Sequence, residues 1–316
     1  MNNPTVSIIT PSYNQAEYLE TTLRSVLEQD YPRIEYLVAD GLSQDASPEI
    51  IRRYAPRLAW WVSEKDKGQA EAINKGFARA SGEIIAWLNS DDVYLPGAVS
   101  AAVRAFQAHP EAALVFGDVV SIDAAGQTIN VMTFGDWGLD DLLQFKIISQ
   151  PAVFMRRAAL ERAGYLDPNF HFMLDHHLWL RLAQQGAMVY VPERWACARF
   201  HENAKNVAQA PGFAREAYRV ADWIATQPGL QEAARRLGPR IRAGAERING
   251  FYLLDAGQPR AALAAYLRSL ALYPPAALPD WRRILYAAAS LVLDVRRLRA
   301  AYLARRKSKY SPPETR

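Results

Sequence analysis

Apolar residues recur along the front of this chain in two alternating rhythms. Runs in which nearly every position is apolar, "VSIIT" (6–10), "IEYLVA" (34–39), "LAWWVS" (58–63), "EIIAWL" (83–88) and "AALVFG" (112–117), mark strands covered on both faces of a sheet. Between them the period lengthens to that of a helix. Leu19, Leu23, Val26 and Leu27 share one face, Ala70, Ile73 and Phe77 a second, and Val99, Val103 and Phe106 a third. This alternation predicts a mostly parallel α/β sheet flanked by helices, with its ligand crevice beyond the carboxyl ends of the strands. After about residue 210 the pattern is helical only, with Phe213, Ala217, Val220 and Ile224 on one face.

Each of the first four strands ends in a polar cluster: "TPSYN", "DGLSQD", "EKDKGQ" and "NSDD". Each cluster also has an ordinary structural use. Asn14 is placed to cap the first helix, Asp45 and Ser47 the second, and Asp91 or Asp92 the helix beginning near Pro96. The doublet raises a further question, because adjacent carboxylates each make the other harder to ionise. A positive group is expected beside them. Mg²⁺ or Mn²⁺ suits the position, since such hard ions take one or two protein carboxylates together with substrate phosphates. An ion bridging a diphosphate neutralises the charge that develops as it leaves, which makes a nucleoside diphosphate the expected leaving group.

Taken together, "VSIITPSYNQAEYLETTLRSVLEQDYP", "EYLVADGLSQD", "DKGQAEAINKGFARASGEIIAWLNSDD", "FMLDHHLWLRL" and "RFHENAKN" resemble the family 2 glycosyltransferases, inverting enzymes of the Rossmann-like GT-A fold. The resemblance runs from about residue 5 to about 207. It implies that Thr10, Pro11, Tyr13 and Asp40 surround the nucleoside base, with Asp40 accepting from the imide N–H of a uracil or thymine. It implies that Asp66, Gly68, Gln69, Asn74 and Lys75 line the sugar and phosphate part of the donor pocket. Lys75 also reads as a solvated helix residue. In the doublet the family pattern gives Asp91 to the ribose and diphosphate, Asp92 to the metal, and His201 as a further metal ligand.

Inverting transfer requires a carboxylate to accept the acceptor hydroxyl's proton. The resemblance puts Asp175 in that role, on a helix whose Leu174, Leu178 and Leu182 share a face. The alternative use of Asp175 is a helix N-terminal carboxylate favoured by the dipole. Relatives often carry an acid just before this aspartate or two positions after it, where this chain has Leu174 and His177. Acceptor preference is therefore the point of departure from the family pattern.

Charge alters the picture at the far end. The 316 residues carry a formal +4, yet Trp281 to Arg316 holds ten Lys or Arg and two acids, so the first 280 residues are net negative. Ile284, Ala288, Leu291, Val295, Leu298 and Tyr302 recur at helical spacing within that basic tail. Two readings stand: an amphipathic helix lying on an anionic membrane, or a last helix docked on the protein. Nucleic acid is not expected, because the body is acidic and no reading motif is present. Before the tail, "INGFYLLDAGQPRAALAAYLRSLALYPP" resembles one tetratricopeptide-like hairpin, which needs a neighbour to bury its face.

The predicted organisation is thus a GT-A domain over 1–210, a helical extension over 211–280 and a basic helix and tail over 281–316. The lone Cys197 calls for no oxidising compartment, and no leader or spanning segment is read, so a cytoplasmic protein, peripheral on the inner membrane face, is expected. The predicted activity is metal-assisted transfer from a UDP- or dTDP-sugar to a glycan or lipid-linked acceptor. The rival readings are an inactive nucleotide-sugar-binding module joined to a helical interaction unit, and a nucleotidyltransferase. The four aspartates argue against the first, and the lack of a glycine-rich loop after the first strand argues against the second.

Overall fold

A computed structural model describes residues 3–201, 205 and 209–292. It carries nine strands, β1 (Val6–Ser12), β2 (Ile34–Asp40), β3 (Trp60–Ser63), β4 (Ile84–Trp87), β5 (Val93–Tyr94), β6 (Ala112–Asp123), β7 (Thr128–Met132), β8 (Val153–Arg156) and β9 (Ala187–Phe200). The helices of the same stretch are α1 (Ala16–Leu27), α2 (Ser47–Tyr54), α3 (Gln69–Phe77), α4 (Ala98–Ala108), α5 (Leu139–Leu143), α6 (Arg157–Ala163) and α7 (Leu174–Leu182). Beyond them lie α8 (Ala210–Thr226), α9 (Gln231–Asp255), α10 (Pro259–Leu272), α11 (Pro274–Ala277) and α12 (Trp281–Ala289).

The chain divides into two compact units. The first comprises residues 1–122, 131–138 and 148–199, and the second residues 123–130, 139–147 and 200–316. In the first, strands run in the order β3-β2-β1-β4-β8-β6-β9-β5. The four strands β3, β2, β1 and β4 are parallel. β8 and β6 continue the sheet antiparallel, and β5 pairs antiparallel with β9. The sheet is therefore mixed: the alternating pattern that predicts parallel pairing ends after β4, and the following strands reverse.

Burial explains why the front strands form. Val6, Ile8 and Ile9 of β1 are fully buried on alternating faces, and each such side chain contributes roughly 1.5–3 kcal/mol. One face packs on α3, where a Cβ at Gly76 would stand only 2.5 Å from Ile9 Cγ2. Glycine is what lets helix and strand approach. Ile9→Ala would open a cavity beneath that contact and cost about 2–5 kcal/mol.

Strand register sets the rim. Ser12 of β1 pairs with Asp40, and Asp40 with Ser63, so the first three strands end at one level. Ile9 pairs with Trp87, which brings the end of β4 alongside.

In the second unit α9 and α10 form a helical hairpin, turned at Gly257 with φ +73°. Phe213 of α8 stacks on Tyr252 of α9 with centroids 4.5 Å apart. Glu246 is buried and compensated by Arg268 at 2.9 Å and Tyr218 Oη at 2.6 Å. Of the basic tail, α12 is described; Val295, Leu298, Tyr302 and the basic residues from Arg296 onward lie outside the described residues. Among the described residues no helix is long and apolar enough to cross a membrane.

Candidate active site

The β1 and β2 loops are bonded to each other, and the start of α1 is met from the β2 loop and not by Asn14. Asn14 N–H donates to Ser43 Oγ, and Asn14 Oδ1 accepts from Gln44 N–H. The first turn of α1 is satisfied from across the loop pair, by Asp45 Oδ2 accepting from Ala16 N–H at 2.9 Å and Ser47 Oγ accepting from Gln15 N–H at 3.2 Å. Asp45 Oδ1 also accepts from Ser47 N–H at the start of α2. Burial alone would raise the Asp45 pKa, but these hydrogen bonds outweigh it and hold the carboxyl below its ordinary value.

These loops store strain. Asn14 and Leu42 sit at φ +52° and +65°, the left-handed region that non-glycine residues avoid at a cost of about 1–3 kcal/mol. Leu42 and Tyr13 are both exposed on the rim. A Cβ on Gly41 would lie 2.7 Å from Asp66 Oδ2 and 3.3 Å from the Tyr13 ring. Tyr13, Gly41 and Asp66 therefore converge, from the ends of three different strands.

Beneath them Asp40 is 1% exposed. Its Oδ1 accepts from Ser43 Oγ, and its Oδ2 from Ser43 N–H at 3.0 Å and Ser63 Oγ at 2.6 Å. Three of about four acceptor sites of the carboxylate are taken by the chain itself. Thr10 and Pro11 are buried in β1, with Thr10 Oγ1 2.8 Å from Tyr36 Oη.

The doublet has a different setting. α4 is preceded by Gly97 with φ +83°, and its Val99 N–H is met by Gln29 Oε1, so neither aspartate caps that helix. Asp92 is 6% exposed; Oδ1 accepts from Arg199 N–H at 3.0 Å and Oδ2 from Asn89 Nδ2 at 3.2 Å. Burial first, then the charge of Asp91, push its carboxyl well above the ordinary range despite those bonds. The group that the doublet's charge calls for is partly present: Arg199 donates through Nε to the Asp91 carbonyl at 2.9 Å, and its guanidinium lies 4.8 Å from the Tyr18 ring centroid.

A chain of amides ties this loop to its surroundings. Gln69 Nε2 donates to Asn89 Oδ1 at 2.8 Å, Asn89 Nδ2 also reaches Gln150 Oε1, and Gln150 Nε2 donates to the Trp87 carbonyl. Asp66 Oδ1 accepts from Gly68 N–H at the entry to α3, where Gly68 has φ +120°. Asn74 and Lys75 are engaged elsewhere. Asn74 makes paired bonds to the Leu166 backbone, and Lys75 forms ion pairs with Glu64 at 2.9 Å and Glu71 at 3.8 Å.

Asp175 stands in the first turn of α7, one turn before Trp179 on the same helical face. Trp179 stacks on Trp87 with centroids 5.2 Å apart, which ties this helix to the strand leading into the doublet. Leu174, Leu178 and Leu182 are buried along the neighbouring stripe of the helix. Asp175 Oδ1 accepts from His176 N–H at 2.7 Å. His201 is buried just past β9 in the second unit.

Among the described residues no three His, Cys, Asp or Glu are grouped as a complete metal cage. The donors present suit the other kind of site, in which one buried, charge-starved carboxylate holds an ion whose remaining ligands are phosphate and water. Asp92 meets that description.

Three participants escape sequence reasoning. Asn89 stands two residues before the doublet and Arg199 two residues before His201, so local motifs carry both. Gln150 has no such signal, being 58 residues from Asp92 in sequence.

Comparison with known proteins identifies the family and the fold. The family model described as Glycosyl transferase family 2 matches residues 7–165. The chain is 31% identical over 193 residues to the putative teichuronic acid biosynthesis glycosyltransferase TuaG of Bacillus subtilis, covering 59% of this chain and 75% of that one. Among solved structures, the mannosyltransferase PcManGT from Pyrobaculum calidifontis in complex with GDP-Man and Mn²⁺ superposes with a TM-score of 0.59 at 24% identity, over 98% of this chain and 88% of that chain. S. aureus TarS 1-349 in complex with UDP gives a TM-score of 0.56 at 15% identity, over 88% and 91% of the two chains. At these identities the structural likeness is one of fold, the GT-A fold. The chain belongs to glycosyl transferase family 2 and is a glycosyltransferase.

Proposed function

We propose that this enzyme moves a sugar with inversion from a UDP- or dTDP-sugar to a hydroxyl of a cell-surface polysaccharide or lipid-linked acceptor. The observation that carries the reading is Asp92: a buried carboxylate beside a second one, at the end of a central strand, with its pKa held high. Tyr13, Gly41 and Asp66 form the outer wall of the donor pocket with Gly68; Thr10 and Pro11 lie buried in β1 at its base, and Asp40 offers its remaining acceptor site to a pyrimidine imide. Gln69 and Asp91 face the ribose and diphosphate; Asn74 and Lys75 hold α3 in place behind them. Asp92 would hold Mg²⁺ or Mn²⁺, and that ion would supply neutralisation of the departing diphosphate. Asp175 takes the proton from the attacking hydroxyl, a role that contributes about 10²–10⁴-fold. The teichuronic acid relative supports a cell-surface glycan as product, and the UDP and GDP-Man complexes of the solved neighbours support a nucleotide-sugar donor.

The test is donor hydrolysis and transfer across a panel of UDP-, dTDP- and GDP-sugars, with and without Mn²⁺. One uridine or thymidine donor should be consumed only with metal, and Asp175→Asn should lower kcat about 10³-fold while leaving UDP affinity unchanged. Metal-independent turnover, or a clear preference for GDP-sugars, would overturn the assignments of Asp92 and Asp40 respectively.

A further inference from the structure

A surface helix ordinarily presents polar residues to solvent. On α12 the outward side is apolar: Trp281 and Leu285 are 51% and 60% exposed, and Val292, in the turn that follows, is 81% exposed. Their spacing of four and seven residues lays them along one stripe, and Leu278 just before the helix is exposed as well. The opposite face fixes this orientation. Ala287 is fully buried with Leu254 and Ala262, and Tyr286 packs on the same cluster. Arg283 donates to the Phe251 carbonyl and to Asp255, with its guanidinium 3.8 Å from the Phe251 ring centroid. Trp281 and Leu285 cannot turn inward without breaking that ion pair.

The charges nearby divide in an informative way. Arg283 is consumed internally, whereas Arg282 lies 5.2 Å over the Trp281 ring, a cation at the edge of the apolar stripe. Eight more Lys or Arg follow between Arg296 and Arg316, against Asp294 and Glu314. A second copy docked through the same face would bring these like charges together, which opposes self-association. A surface that accepts apolar side chains and basic residues at once is an anionic bilayer, where each basic residue adds about 1 kcal/mol and the apolar side chains enter the headgroup boundary. We propose that α12 docks this unit on an anionic phospholipid surface, with Trp281, Leu285 and Val292 entering the interface and Arg282 at the edge of the stripe meeting the headgroups. The proposal rests on the second unit alone and is independent of which sugar is transferred.

Full-length protein should sediment with phosphatidylcholine–phosphatidylglycerol vesicles and not with phosphatidylcholine alone. The double variant L285E/V292E, shown to be folded by an unchanged thermal transition, should lose about tenfold or more of that binding. Adding vesicles should shift tryptophan emission to the blue, and Trp281→Phe should remove most of that shift. Wild-type binding by the double variant would overturn the proposal, as would failure of the wild type to bind either vesicle. A lipid-independent dimer that the same double variant dissociates, seen by light scattering, would assign the face to a second copy. Trp281 fluorescence already shielded from iodide before lipid is added, measured as the difference between wild type and Trp281→Phe, would assign it to the chain's own following segment.

Discussion

Two carboxylates on one rim, Asp45 and Asp92, accept backbone N–H bonds at nearly the same length, 2.9 and 3.0 Å. They nonetheless shift in opposite directions, Asp45 downward and Asp92 upward. Asp45 lies in the loops beyond β1 and β2, half-buried, where it collects donors from the starts of two helices. Asp92 lies in the loop after β4, enclosed and next to Asp91. The difference separates a carboxylate whose neutral hydrogen-bond donors outweigh its burial from one in which burial and a like-charged neighbour win, Arg199 notwithstanding, and the second is the one proposed to hold an ion.

The sharpest way to break this contrast is Asp92→Asn. Transfer should fall roughly 10³-fold or more with the loss of ion binding, while calorimetry of the metal-free protein should show no loss of stability, because a charge that burial disfavours has been removed. A stability loss comparable to that of a capping residue would place Asp92 with Asp45. Next in size is the pH dependence of ion binding. With its pKa raised, Asp92 keeps its proton to higher pH, and that proton competes with the ion; Mn²⁺ affinity by titration calorimetry should rise by up to about tenfold per pH unit and flatten above the Asp92 value. For the metal-free fold the same sign holds: the contribution of this group is present below the ordinary carboxylate value and is lost as pH rises through the raised one.

Asp45→Ala should give the opposite phenotype. It removes acceptors from α1 and α2 together, so stability should fall by about 1–2 kcal/mol in denaturant unfolding while nucleotide-diphosphate affinity changes little. Because the Asp45 pKa is lowered, its contribution is present above the ordinary carboxylate value and fades as pH falls through the lowered one. The smallest effect is at Cys197, which pairs with Val93 across β5 and β9. Burial and then the nearby Asp92 push its thiol up to about 11, so alkylation at neutral pH should be slow. Binding Mn²⁺ should bring the thiol's titration down, provided the ion sits at Asp92.

Much of this was legible in the chain because the signals are local. Apolar runs and helical periods located β1 to β4 and α1, α3 and α4, since burial on both faces of a strand or one face of a helix leaves its period in the residues. The doublet and its need for a positive neighbour were legible for the same reason: adjacency is a fact of sequence. The capping alternatives were equally legible and could not be decided, because the residue that caps α1 is Asp45, 29 positions on, and the group that faces the doublet is Arg199, 107 positions on. The antiparallel half of the sheet was missed because strand direction is set by connections and pairing partners, which an apolar run does not encode.

By itself, then, the sequence determined which segments are strands and helices, the family, and which residue types gather at strand ends, all consequences of short-range periodicity and motif spacing. Tertiary structure alone decided which of those carboxylates the fold satisfies and which it leaves short of charge. Protonation depends on burial and on partners brought together through space, and neither quantity exists until the strands are laid side by side.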